Sequence, residues 1–238
     1  MDIAVRLNTV ASDYGRVVRS PSYCPLWLAQ LLSSFGDTLH YIALVVLVFQ
    51  LTGQGIAVAG LVAAEILPVL LLGPVAGVLI DRASRKAILI GADLFRAGLV
   101  LSLLWPQGAW HACAVAAGLA VGNVLFNPTV QAVIPFLTTP EERLAANSVS
   151  WSTGRLVQIL ASAVVGGLIG LVGTGPAFAL NAAGFVVSTL LVSQLPISPQ
   201  AGQLSQDASR DLGIFLADAR AGLRVAIADH LVSRLLAV

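Results

Sequence analysis

Gly77-Val78-Leu79-Ile80-Asp81-Arg82-Ala83-Ser84-Arg85-Lys86 decides how the rest of the chain is read. One long apolar run precedes it, another follows, and four charged residues crowd into its last six positions. An acid followed by three bases cannot sit in hydrocarbon, so between two membrane-length segments it must be a short loop. Lys and Arg collect on the cytoplasmic side of a membrane, which places the loop there. Gly77, having no side chain, is expected to let two helix ends approach closely.

The composition agrees. Of 238 residues, 57% are hydrophobic and only 11% charged, with a mean hydropathy of +0.88. A soluble domain carries about 25% charged residues, so this chain has too little polar surface to stay in water. Apolar runs fall at about 26–51, 55–80, 87–105, 110–134, 148–172 and 176–195. Each approaches or exceeds the roughly 20 residues needed to span hydrocarbon. The expectation is an all-α membrane protein with a six-helix bundle over 21–196.

Basic residues set the orientation. Thr52-Gly53-Gln54-Gly55, Pro106-Gln107-Gly108-Ala109 and Gly173-Thr174-Gly175-Pro176 carry no Lys or Arg. The alternate segments hold eleven of the thirteen basic residues, and only Arg96 and Arg155 fall inside spans. Both ends are therefore expected in the cytoplasm, the chain being multi-pass in the inner (plasma) membrane. Residues 1–20 form a polar N-terminal segment, without the early apolar core of a cleaved signal peptide. Residues 197–228 read as a cytoplasmic linker and amphipathic helix, with Leu212, Phe215, Leu216, Ala219 and Leu223 at helical spacing. Residues 229–238 read as the start of an interrupted seventh helix.

Ionisable residues inside the spans carry the functional information, since each costs about 2.5–3.5 kcal/mol at mid-membrane on insertion scales. Asp37 lies mid-way along the first run, among small residues and with no basic neighbour one turn away. Without a fixed cation, low dielectric disfavours its charged form, which makes it the principal proton-coupling candidate. Glu65, near the middle of the second run, is the second candidate. His40 could join a relay, though it reads first as a packing residue. Asp93 and Arg96, three apart on one helix face, read with Arg155 as an intramembrane charge network that helps helices choose partners. Asn127-Pro128 is expected to break the fourth helix and so border a cavity. Gly73, Gly77, Gly166, Gly167 and Gly170 are expected at close helix contacts.

Other chemistries find no support. No basic patch interleaved with aromatics argues for nucleic acid. His111 and Cys113 are too few for a metal site, and Cys24 and Cys113 read as unpaired thiols. There is no G-x-S-x-G, P-loop or dinucleotide fingerprint, so neither enzyme chemistry nor a cofactor is implied.

The pattern Gly77-x-x-x-Asp81-Arg82-x-x-Arg85-Lys86 resembles the loop between helices 2 and 3 of the major facilitator superfamily, with Ser84 in place of its second glycine. Pro25-Leu26-Trp27-Leu28-Ala29-Gln30, Phe35-Gly36-Asp37, Asp93-Leu94-Phe95-Arg96-Ala97, Phe126-Asn127-Pro128 and Ala145-Ala146-Asn147-Ser148 resemble the branch of enterobactin exporters and macrolide-type drug efflux proteins. In the fifth run, Ala161-Ser162-Ala163 stands where antiporters carry Gly-Pro. The resemblance implies one half of a twelve-helix fold, built as two inverted three-helix repeats, with substrate bound at the midplane between halves. It implies that Gly77, Asp81, Arg82, Arg85 and Lys86 form a gating loop. The expected partners are protons, the lipid bilayer, a small amphipathic drug- or siderophore-like substrate, and a missing C-terminal half or a second copy. The competing expectation is a non-transporting fragment or subunit, active only when assembled.

Overall fold

The computed structural model describes residues 14–197, apart from the side chains at 74, 75, 78, 81 and 82. The expected N-terminal segment up to residue 13, the linker with its amphipathic helix, and the seventh-helix start lie outside the described residues. Those that are described form α1 (Cys24–Thr52), α2 (Gly55–Arg82), α3 (Arg85–Ser102), α4 (Ala109–Leu137), α5 (Arg143–Val172) and α6 (Thr174–Ser193), preceded by a helical turn at 14–18. No strand occurs among the described residues.

Local chemistry explains where the helices stop and start. The α1 helix ends at Gly53, whose φ of 65° is left-handed and whose N–H donates to the Phe49 carbonyl at 2.8 Å. At the head of α3, Ser84 Oγ accepts from the Ala87 N–H at 3.4 Å, a cap that glycine could not supply. The α3 helix closes at Ser102, short of the expected 105, where Ser102 Oγ donates to the Leu99 carbonyl at 2.6 Å. The α5 helix starts at Arg143, before the expected 148. Ahead of it, the Thr139 N–H donates to Glu142 Oε2 at 3.1 Å, half of a capping box.

Among the described residues, five helical segments are long and apolar enough to cross a membrane: α1, Gly55–Gly73 of α2, α4, α5 and α6. The α3 helix carries Arg85, Lys86, Asp93 and Arg96 in 18 residues. Its two mid-helix charges are fully buried against each other, which makes such a helix tolerable inside the bundle.

Apart from α3 and α4, the main packing partners are not adjacent in sequence. The α1 helix packs on α6 and α5, α2 on α4, and α3 on both α4 and α6. Two apolar clusters result. One gathers Leu39–Val48 of α1 with Val100, Leu119, Val165 and Phe178; the other gathers Leu26 and Ala29 with Leu89, Phe126, Ile134 and Val192. Between them, on α1, α3 and α6, lie the buried polar residues Ser33, Asp93, Arg96 and Ser188. The closest helix contact made by a glycine is at Gly36 of α1, where an added Cβ would land on the Asn181 side chain of α6.

Gly73, Gly77, Gly166, Gly167 and Gly170 are not close-contact sites: nothing stands within 4 Å of a Cβ added at any of them. They lie on α2 and α5, which also expose Leu67, Leu71, Ile159 and Leu160. The expected break at Asn127-Pro128 is likewise absent, because α4 runs unbroken through Pro128 and Pro135. Proline removes one N–H, but the α4 hydrogen-bond ladder continues on either side of it.

Candidate functional site

A cavity of about 1010 Å³ opens among α1, α2, α4 and α5, while α3 and α6 stand behind its walls. The α1 wall presents Gln30, Ser34, Asp37, His40 and Tyr41, and the α2 wall Glu65, Ile66, Val69 and Leu70. The α4 helix adds Asn123, Asn127, Pro128 and Gln131, and α5 adds Trp151, Arg155 and Gln158. Asp37 and Glu65, distant in sequence, thus share one cavity. So do Asn127 and Pro128, as wall residues of an intact helix.

Behind the wall, Arg96 is the hub. It is 0% exposed and pairs with Asp93, whose other carboxylate oxygen accepts from Ser188 Oγ at 2.6 Å. Its Nη1 donates to Ser33 Oγ at 3.0 Å and to Asn123 Oδ1 at 2.6 Å. Its guanidinium lies 4.3 Å from the Phe126 ring centre and 4.4 Å from that of Phe185. Gly122 makes room for the stem: an added Cβ there would sit 2.5 Å from Arg96 Cγ and 2.8 Å from Cδ. One side chain of α3 therefore reaches α1, α4 and α6 together. A buried pair with this many partners is a packing device first, although Arg96 Nε has none.

Two expectations change here. Asp37 does have a cation beside it, since Arg96 Nη1 lies 3.7 Å from its Oδ1. Inspection one turn along α1 could not find this partner, because it comes from another helix. No hydrogen bond is made, and Oδ1 stays buried without a partner. Arg155 also stands apart from Asp93 and Arg96. On the cavity wall, it donates to Gln158 Oε1 at 2.9 Å and lies 5.8 Å from the Trp151 ring centre.

His40 is buried, with Nδ1 unpartnered and 4.0 Å from Asp37 Oδ1. Glu65 is half-buried and makes neither an ion pair nor a hydrogen bond among the described residues. In the expected gating loop, Lys86 Nζ donates to the Leu195 carbonyl just past α6 at 2.9 Å, and Arg85 lies 4.8 Å from the Phe136 ring centre on α4. These two bases tie α3 to its own bundle. The side chains of Asp81 and Arg82 lie outside the description.

Residues missed in the sequence are Tyr23, Trp27 and Asn181. Tyr23 Oη donates to the Ala146 carbonyl at 2.9 Å and shares a 2.7 Å hydrogen bond with Ser150. Trp27 Nε1 donates to Thr153 Oγ1 at 3.0 Å, so the start of α1 is pinned to α5 by polar bonds. Asn181 is buried with both amide atoms unpartnered. Only its polarity in an apolar run could have signalled it. No group of His, Cys, Asp and Glu suited to a metal occurs among the described residues, and both cysteines are free.

Known proteins match this architecture. The family model described as transmembrane secretion effector matches residues 17–236. An uncharacterised MFS-type transporter, YfiS of Bacillus subtilis, is 31% identical over 172 residues, covering 72% of this chain and 41% of that protein. Macrolide efflux protein A of Streptococcus pyogenes is 27% identical over 186 residues, covering 76% of this chain and 46% of that protein. Crystallised peptide transporter POT in complex with alafosfalin superposes with a TM-score of 0.67 at 19% identity, covering 87% of this chain and 46% of that one, a likeness of fold alone. The chain spans about half the length of the curated relatives it matches. An all-helical bundle of membrane-length helices around a polar cavity, matched by the family model over most of its length, belongs to the transmembrane secretion effector family of the major facilitator superfamily, and it covers the N-terminal half of such a transporter.

Proposed function

We propose that this chain is the N-terminal, six-helix half of a proton-coupled efflux transporter that exports a small amphipathic molecule by alternating access. The observation that carries this reading is the cavity, with two acids, amides and aromatics set into apolar helices. A carboxylate inside a membrane is costly unless it binds something, and here Asp37 Oδ1 is buried yet unpartnered. Asp37 is the proposed principal proton site although Arg96, 3.7 Å away, favours its charged form, because that base is hydrogen-bonded to Asp93, Ser33 and Asn123 and not to Asp37; Glu65 is the second candidate.

The inverted-repeat reading is supported by the packing. Exchanging α1, α2 and α3 for α4, α5 and α6 maps the pairs α1–α6 and α2–α4 onto α4–α3 and α5–α1, which are the pairs observed. The apolar, glycine-bearing faces of α2 and α5 support a second six-helix body, a C-terminal half or a second copy, as the partner that completes the cavity. On this reading both chain ends, the loop at 83–84 and the loop at 138–142 face the cytoplasm. The Asp81 loop acts as a latch on the access states rather than as a substrate site.

The test is reconstitution into liposomes, of this chain alone and of a transporter containing both halves, followed by substrate flux under an imposed proton gradient. Gradient-driven accumulation by the two-half protein supports the reading. Flux indifferent to the gradient would overturn proton coupling.

A further inference from the structure

One cation stands in the cavity with no acid to hold it. Among the described residues that line the cavity, Arg155 is the one Lys or Arg, and it is exposed there. Arg96, the other arginine inside a span, is fully buried behind the wall, out of an occupant's reach. Arg155 lies roughly 18 Å along α5 from the helix start at Arg143, at about 1.5 Å per residue. Its head is tethered at the cavity. Nη1 donates to Gln158 Oε1, one turn further on, at 2.9 Å, and the guanidinium carbon lies 5.8 Å from the Trp151 ring centre, one turn back. Neither contact brings a counter-charge. The acids of the cavity, Asp37 and Glu65, stand on α1 and α2, and no ion pair joins Arg155 to either. An ionised side chain within a membrane span pairs with an opposite charge or marks the path of a ligand. Here the pair is missing. A guanidinium also carries five N–H donors, and the side-chain hydrogen bonding of Arg155 uses one.

The α4 wall adds donors without adding charge. Asn127 and Gln131, one turn apart, are exposed in the cavity, and their side chains make no hydrogen bond among the described residues. Asn123, one turn before Asn127, has its Oδ1 taken by Arg96, which leaves its Nδ2 donors as the free end. Arg155 would repel a cation, and a hydrocarbon would leave its donors unserved. A carboxylate matches the guanidinium fork with two parallel N–H···O bonds, and such charge-assisted bonds are about twice as strong as neutral ones. Trp151, exposed one turn from Arg155, offers aromatic surface to the apolar body of the same molecule.

We propose that Trp151, Arg155 and Gln158 form an oxyanion subsite on the α5 wall, with the α4 amides as further donors, and that it takes the carboxylate of an amphipathic organic acid. This rests on the reading of the cavity as a substrate site and adds to it the charge of the substrate. The cavity is thereby divided: α1 and α2 carry the acids, and α5 carries the base that receives the substrate.

The experiment uses the 238-residue chain in phosphatidylcholine nanodiscs at neutral pH. The probes are dansylglycine, an apolar fluorophore bearing a carboxylate, and dansylglycinamide, its neutral amide, with empty nanodiscs subtracted for lipid partitioning. Expected is saturable binding of the carboxylate, at least about ten-fold tighter than that of the amide. Arg155→Gln should bring the two probes to within about two-fold. Arg143→Gln, which removes an exposed base from the start of the same helix, should leave the preference intact. If Arg155→Gln does not give monodisperse protein, Arg155→Lys serves: it keeps the charge and loses the fork, and the preference must fall several-fold. Absence of saturable carboxylate binding, equal binding of the two probes, or an unchanged preference on altering Arg155 would each overturn the assignment. So would a preference lost equally in Arg143→Gln, which would mean attraction by the basic end of the bundle. Phospholipid retained through purification by the chain and not by Arg155→Gln would assign the subsite to a lipid headgroup and overturn the substrate. Binding needs no proton gradient, so failed coupled flux with the carboxylate preference intact would count against the efflux reading alone, and coupled flux without that preference against this subsite alone.

Discussion

Gly122→Ala puts the packing argument at its sharpest. The new Cβ would meet Arg96 Cγ at 2.5 Å and Cδ at 2.8 Å, where real contacts are about an ångström longer. A surface arginine would swing aside at little cost. This one cannot: its head is held by Asp93, Ser33 and Asn123 and flanked by the rings of Phe126 and Phe185. Either α4 moves away from α3 or the guanidinium loses partners. Overpacking of a filled core costs about 1–3 kcal/mol, and a chain of this length loses about 2–4 °C of Tm per kcal/mol. The expected drop is therefore several degrees.

Gly118→Ala is the matched control. Its Cβ would meet Leu99 Cδ1, also at 2.5 Å, but that atom is the free end of a half-buried side chain with room to turn. Thermal unfolding of the three purified proteins in one detergent, followed by fluorescence-detected gel filtration, makes the comparison. Gly122→Ala no less stable than Gly118→Ala would refute the view that Arg96 is immobile.

Arg96→Gln should cost about 3–5 kcal/mol, by leaving Asp93 buried without its base; adding Asp93→Asn should recover much of the loss, and a double variant no better than the single one would argue against the pair. In a transporter with both halves, Asp37→Asn should abolish proton-driven accumulation while membrane insertion and passive substrate exchange persist; undiminished accumulation against a gradient would pass the role to Glu65. Asp81→Asn there should slow transport and leave substrate affinity within a few-fold, and a large affinity loss with unchanged turnover would contradict the latch. A cysteine introduced at Ser84 should react with membrane-impermeant maleimide only from the cytoplasmic side, and one at Gln54 only from outside.

Membrane residence, the helical segments and the family were legible in the sequence because they rest on local quantities. An apolar run of about 20 residues has few choices but a helix, since every backbone N–H and C=O must be satisfied within it. The turns at Gly53, Gly108 and Gly173 were legible for the same kind of reason: all three adopt positive φ. The loop ending in Arg85 and Lys86 could be picked out by charge alone.

What only the tertiary structure decided was who meets whom. Asp37 looked isolated because its counter-charge, Arg96, comes from α3 across the bundle. Arg155 looked like part of a network but faces the cavity with Gln158, because the face a residue presents depends on how its helix is rotated in the bundle. Gly122 and Gly36 proved to be the tight positions while Gly73 and Gly166 stand open, since a glycine matters only where another helix presses on it. Asn127-Pro128 looked like a break, yet α4 continues, because local propensity is a weak prior that tertiary context overrides. Pairing between helices is a long-range choice, made by shape and by a buried arginine, Arg96, whose partners come from three neighbouring helices at once.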